Sequence, residues 1–273
     1  MAAYFLLALS YRVVKATESN ALSEAARVES YISALYNRLD FREYDRLSYT
    51  VFNKAVKGYI NLKNAGKLNN AKEILTVCDF NQPSTFERMW IIDLAEKKIL
   101  FNTFVAHGSG TGEDCATQFS NKENSHQSSL GFYVTTETYD GEHGLSLRLQ
   151  GMDQGFNDAA FKRDIVVHGA EYVCDNYICD NQRLGRSWGC PAVPVALAEP
   201  IINTIKDGTC LFVYYPDVKY LKTAFWLNKK VVALPDYNLY GDLIPTEINR
   251  PRFRTIQYIH NGRVDSSKRV RIN

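Results

Sequence analysis

No apolar run in these 273 residues approaches the ~20 that a membrane-spanning helix requires. Charge of one sign is missing as well. Lys and Arg number 32 against 30 Asp and Glu, a net charge of +2, which gives no strong electrostatic case for a nucleic-acid partner. Internal repeats and low-complexity segments are absent, which excludes solenoid and linker-like readings. Metal-ligand spacing is absent too. Cys174 and Cys179 frame a Cys-x4-Cys loop, but no further Cys or His follows at short spacing. The glycine-rich stretch His107-Gly-Ser-Gly-Thr-Gly lacks the Gly-Lys-Ser/Thr ending of a phosphate-binding loop, and no helix is predicted after it. No cofactor and no metal are therefore expected.

What remains is an ordinary globular composition, 45% hydrophobic and 23% charged, in a chain long enough for one large domain or a domain plus a subdomain. At the N-terminus, Ala2 to Leu9 is apolar and Ala16 suits a small-residue cleavage site. The run is short, and no Lys or Arg precedes it, so it is read as a signal remnant over 1–17 or as the start of a helix.

Helical spacing of apolar residues predicts a helix from Ser19 to Leu39 and a second from Ser48 to about Asn64, with Gly66 as its stop. A packing layer against a sheet is the expected role, and a substrate-recognising subdomain the alternative. From about Lys72 the pattern turns to β. Strands are predicted at 74–80, 89–94, 99–106, 132–136 and 146–150, with a strongly β segment at 209–215. The boundaries follow: an N-terminal helical segment at 1–72, a mainly β catalytic unit at 73–216, and a C-terminal extension at 217–273 without a catalytic motif. One more strand is expected at 256–259.

The stretch 163–193 carries the chemistry. Ile165, Val166 and Val167 form a β-branched run that delivers His168 and Gly169. Further on, Ser187-Trp-Gly-Cys190 leads through Pro191 and Pro194 into a predicted helix over 195–205, with Pro200 either kinking it or opening a shorter one. A thiol is a strong nucleophile only as thiolate, which an imidazole and a helix N-terminus both stabilise. Gly189 lets the backbone turn sharply with its N–H groups exposed, and such groups hold an oxyanion. The pattern is that of a cysteine/histidine acyl-transfer site. The competing reading is structural, since a buried Cys acts as a small hydrophobe. For Arg163 two readings stand: an ion pair with Asp158 or Asp164, or a bidentate clamp on a substrate carboxylate. His126 and His143 lie in polar loops and are read as surface residues.

Apolar run–His168–Gly169–Ala170 followed by Gly185-Arg-Ser-Trp-Gly-Cys-Pro191 resembles the signature of the L,D-transpeptidases, enzymes that cross-link bacterial peptidoglycan. The resemblance extends to Ala106-His-Gly, Phe119-Ser-Asn, Ser128-Ser-Leu-Gly-Phe-Tyr and Gly144-Leu-Ser-Leu-Arg-Leu. The larger branch of the family has His where Trp188 stands, and a basic or amide residue where Ala192 stands. A substrate carboxylate must then be held by another residue. The resemblance implies an L,D-transpeptidase-type β-sandwich catalytic domain, mainly β with α, and an exported protein of the periplasm or cell envelope.

It also implies roles. Cys190 is the nucleophile and His168 the base, oriented by the Gly169 carbonyl. The Gly189 and Cys190 N–H groups form the oxyanion hole, with Ser187 either assisting or supporting the turn. Arg163, Arg186, Trp188 and His107 are the candidate substrate-binding residues, His107 in an auxiliary role. The expected partners are peptidoglycan stem peptides and acylating carbapenems, with no nucleic acid and no integral membrane segment. A carboxypeptidase or other cysteine hydrolase is the runner-up, and a non-catalytic wall-binding module the third reading. Cys174 and Cys179 are either a local disulfide, in an oxidising compartment, or free thiols in a reducing one.

Overall fold

The computed structural model describes residues 24–237, Leu239 and, as backbone, the strands Phe253–His260 and Arg263–Arg271. The predicted helix start at Ser19 and the apolar N-terminal run lie outside the described residues. Residues 24–37 are helical (α1), and α2 spans Tyr49–Asn64. Ser48 occupies the N-cap of α2 without a side-chain bond, and Gly66 takes a left-handed φ of 64° just past its end, as a helix stop requires.

The strands follow in order. β1 is Ile74–Asp79, β2 Met89–Asp93, β3 Lys98–Thr103, β4 Gly131–Gly141, β5 Gly144–Gly151, β6 Val166–Ala170, β7 Ala192–Pro194 and β8 Cys210–Tyr214. They form one eight-stranded sheet in the order β3-β2-β1-β8-β4-β5-β6-β7. β1 and β8 are buried along their whole length and pair in parallel at its centre, consistent with their unbroken apolar runs. β3 alternates buried and half-buried residues, the pattern of a strand with one covered face. β3 and β7 stand at opposite ends of the strand order, yet the two ends meet. Past β3, the Ala106 N–H donates to the Ala192 carbonyl of β7 at 2.8 Å, and Gly108 bridges Ser187. The sheet is thus closed along a short seam, giving a mostly β, barrel-like body with a few helices.

The helices belong to the same core. α2 lies against β4 where Gly58 faces Phe132: a methyl group on Gly58 would sit 1.9 Å from the ring tip. Phe132 stacks in turn on Phe212 of β8 with centroids 4.2 Å apart. One hydrophobic cluster runs from Val28 through the sheet to Leu239, so α1 and α2 are a packing layer. The boundary expected at 216 coincides with no break in packing. Helix α5 (Val218–Thr223) is capped by Asp217, and its Tyr220 hydroxyl donates to buried Asp153 at 2.9 Å. After α6 (Phe225–Asn228), Asn61 of α2 donates to the carbonyls of Trp226 and Lys229.

Three elements differ from expectation among the described residues. The loop expected between His168 and Cys190 contains a short helix, α3 (Asp175–Asn181), and β7 separates Cys190 from the helix α4 (Val195–Ile205). Pro200 neither ends nor shortens α4. The expected C-terminal strand is a hairpin, β9 (Phe253–His260) with β10 (Arg263–Arg271).

Candidate active site

β6 and β7 pair in parallel with His168 opposite Ala192. Stepping back two residues on both chains sets Cys190 beside Val166. The contacts place the thiol at the start of β6: the Val166 N–H, two residues before His168, reaches the Cys190 Sγ at 3.4 Å, and the thiol points to the Asp164 carbonyl at 3.7 Å. No hydrogen bond joins Cys190 to His168 among the described residues.

The His168 Nδ1 stands 2.9 Å from the Gly169 carbonyl. A carbonyl only accepts, so Nδ1 carries the proton and Nε2 keeps its lone pair. The carbonyl expected to orient the imidazole is in contact with it. Burial holds the His168 pKa below the usual histidine range; the Gly169 bond opposes this and the His143 charge adds to it. Burial pushes the half-buried Cys190 thiol up, against the pull of the Val166 N–H and the Arg163 guanidinium. Both shifts favour neutral forms. The α4 N-terminus does not reach Cys190 directly, because β7 intervenes.

Gly189 adopts a φ of 123°, and a Cβ there would meet the Gln127 carbonyl at 2.8 Å and the Ile165 Cδ1 at 3.1 Å. Only glycine fits. Its N–H, expected to face an oxyanion, donates instead to the Ser187 hydroxyl at 3.0 Å, and that hydroxyl donates to the Cys190 carbonyl at 2.7 Å. Ser187 is therefore a staple of the turn, and the two-residue spacing Ser-x-Gly is the local signal for it. The Cys190 N–H has no acceptor among the described residues, so of the two expected donors it is the one left available. On the other side, Ser128 accepts from the Gly108 N–H at 3.0 Å and donates to the Gly189 carbonyl at 3.2 Å.

Of the four candidate binding residues, two stand beside the thiol. Arg163 forms neither expected ion pair. Asp164 pairs with Arg148 at 2.8 Å, and Asp158 accepts from Asn121. The Arg163 guanidinium binds four neutral oxygens instead: the carbonyls of Ser120 and Gln127 and the hydroxyls of Ser125 and Ser129. It is half-buried, and it would lie 3.3 Å from a Cβ on Gly189. Trp188 is 75% exposed and stacks on His126, with centroids 4.9 Å apart and planes within 5°. Glu123, Asn124, His126, Lys162, Arg163, Asp164 and Trp188 line a cavity of about 230 Å³ beside the turn.

The other two do not fit the expectation. Arg186 is held by Glu113 at 2.7 Å and by the Gly112 carbonyl at 3.0 Å, a structural clamp shared with Arg183. His107 is buried and faces Arg88 at 2.7 Å through Nδ1 and the Gly112 carbonyl through Nε2. An arginine has no acceptor, so Nδ1 accepts and Nε2 carries the proton. Burial, reinforced by the Arg88 charge, takes the His107 pKa to about 4. Its role is to brace the Ser187 turn, since its own carbonyl accepts the Ser187 N–H at 3.0 Å.

His126 and His143, read as surface residues, both touch the site: His143 stacks on His168 with centroids 4.4 Å apart. Cys174 and Cys179 are both free. The Cys174 Sγ caps α3 by accepting the Tyr177 N–H, and five residues of helix turn Cys179 to another side.

This is a closed, mostly β sheet with a histidine on β6 and a cysteine two residues before β7, the strand paired with β6 in parallel. The family described as the L,D-transpeptidase catalytic domain matches residues 43–214, and the chain belongs to that family. No curated protein sequence matches this one. Among solved structures, an L,D-transpeptidase from Mycobacterium smegmatis is 12% identical over 52% of this chain and 59% of its own, with a TM-score of 0.33. The matched region thus spans about three fifths of that enzyme's length. L,D-transpeptidase 3 from Mycobacterium tuberculosis, in complex with a faropenem-derived adduct, is 14% identical over 52% and 60%, with a TM-score of 0.32. An L,D-transpeptidase (residues 123–326) from Xylanimonas cellulosilytica is 13% identical over 69% and 93%, with a TM-score of 0.30.

Proposed function

We propose that this protein is an exported L,D-transpeptidase of the cell envelope that transfers an acyl group of a peptidoglycan stem peptide through a thioester on Cys190. The observation that supports this reading is that the Cys190 Sγ accepts the Val166 N–H at the start of the strand that bears His168, with Ala192, two residues past Cys190, paired to His168. His168 Nε2 takes the thiol proton as Cys190 turns from the Asp164 carbonyl toward it. The sulfur attacks the carbonyl between the L- and D-centres of the donor stem. The Cys190 N–H faces the oxygen that gains charge. Collapse expels the D-residue amine, which takes the proton from the imidazolium, and leaves the thioester. An acceptor amine, of a diamino-acid side chain, attacks next, and loss of the thiol restores Cys190.

Arg163 supplies the cation that the position of Ala192 lacks. Its four hydrogen-bond partners are neutral, and Glu123, the carboxylate whose charge it feels, is paired with Lys162. The cavity between Arg163 and Trp188 is the proposed seat of the stem. Water in place of the acceptor amine gives a carboxypeptidase from the same residues.

The test is intact mass of wild type and Cys190→Ala after incubation with tetrapeptide-stem muropeptides, with the products analysed in parallel. A thioester on wild type alone, with cross-linked dimers, is expected. Trimmed stems without dimers identify the carboxypeptidase. Turnover retained by Cys190→Ala sinks the assignment.

A further inference from the structure

The β4–β5 hairpin reaches beyond the sheet. β5 pairs with β6 only through Leu147 and Arg148, whereas β4 and β5 remain paired to Gly141 and Gly144. The arm past Leu147 therefore overhangs β6. A bulge between Thr135 and Thr138 bends it, as an extra residue in one strand does. Arg148 fixes the bend, pairing with Asp164 at 2.8 Å and Glu137 at 3.6 Å and lying 4.6 Å from the Tyr139 ring centre.

The tip is the two-residue link Glu142-His143, and its imidazole lies on His168, tilted by 20°. His143 itself is exposed, while His168 is only 3% exposed. One edge of the His168 ring is held by the Gly169 carbonyl, and one face by His143. The mechanism above uses the first restraint and leaves the second unexplained.

We infer that His143 is a positioning residue: the hairpin tip lays its imidazole on His168 and fixes the plane in which the base meets Cys190. The inference rests on the acyl-transfer reading for its catalytic consequence, and on geometry alone for the stack. Two flat rings at this spacing attract through offset stacking. Charge on His143 also opposes charging of His168, so the stack favours the base in its proton-accepting form. The other elements around β6 add no charge of that kind. β7 presents Ala192 and Val193, and α4 presents Val195 and Ala198 at Gly169. On β5, Arg148 is already paired with Asp164. Cys190 faces the Asp164 carbonyl as a neutral thiol.

The experiment compares wild type with His143→Ala and His143→Phe. Imidazole nitrogen NMR of ¹⁵N-histidine-labelled protein reads the His168 tautomer and titration without substrate. Muropeptide turnover reads kcat and KM separately. His143→Ala should raise the His168 pKa, mix its tautomers and lower kcat by about tenfold with KM nearly unchanged. His143→Phe should keep the Nδ1–H tautomer and most of kcat, while the acidic limb of the rate profile moves to higher pH. An unchanged His168 titration in His143→Ala overturns the proposal, as does a phenylalanine variant no better than alanine. Absence of turnover in wild type would count against the acyl-transfer reading, while the NMR arm would still decide the stack.

Discussion

At the scale of single residues, the site combines one glycine that nothing can replace with two histidines in opposite tautomers. Gly189→Ala puts a side chain into a left-handed conformation and against the Gln127 carbonyl. It should cost about 1–3 kcal/mol of stability and most of the thiol's reactivity, measured by chemical unfolding and by iodoacetamide alkylation. A strained acyl compound that reacts with wild type should leave Cys190→Ala unlabelled; carbapenems are the reagents to use, with mass as the readout.

His107 and Asp153 make opposing contributions to acid stability. The folded His107 titrates near 4 against an ordinary 6.5, so the unfolded chain binds that proton first. Its contribution is lost as pH falls from 6.5 toward 4. Burial raises Asp153 to about 6 from 3.8, so there the folded chain binds first, and stability rises as pH falls through that window. Lowering the pH from about 7 to about 5 should therefore reduce the melting temperature more in Asp153→Asn than in wild type, and less in His107→Gln. Equal shifts in all three proteins would refute this.

Much of this scale was legible in sequence. His168, Gly169, Gly189 and Cys190 stand together in a local motif. His143 and His126 gave no signal, because each meets its partner only through tertiary folding. The Arg186 and His107 expectations failed for the same reason. Sequence proximity to the motif does not reveal that Glu113 and Arg88 already occupy them.

At the scale of elements, helix α2 shows how a gap in one element shapes its neighbour. Gly58 exists as a notch for Phe132. Gly58→Ala should destabilise the fold by about 1–3 kcal/mol, and adding Phe132→Leu should recover part of that loss, a coupling readable in a double-mutant cycle. Additive effects would mean that the ring does not fill the notch. The long apolar runs and helical periodicities of α2, β1, β8 and α4 announced themselves. α3 did not, because none of its residues is buried and so no apolar stripe marks it. β7 did not, because its three residues, which follow Pro191 and end on Pro194, carry no period at all.

At the scale of the whole molecule, one hydrophobic core among the described residues joins side chains on both sides of the boundaries expected at 72 and 216. Tyr59 and Tyr237 meet at Glu73, joining α2, β1 and the chain past α6 in one polar knot within the shared core. Long-range contacts of this kind leave no trace in local sequence. Truncation at 216 should therefore fail to give a folded catalytic unit, whereas a chain ending after Leu239 should fold; circular dichroism and thermal melting distinguish the two.

The closed sheet has one further consequence. It is a hoop, and the segment bearing Cys190 is its clasp, fastened by isolated bridges at Ala106–Ala192 and Gly108–Ser187 where β1 shares continuous ladders with β2 and β8. A hoop springs open at its clasp first. On warming, the thiol should lose its alignment before the sheet unravels, so catalysis fades at a lower temperature than the ellipticity of the strands. A covalent occupant on Cys190 that also bonds the 106–109 side becomes a rivet, and the riveted protein should melt later than the empty one.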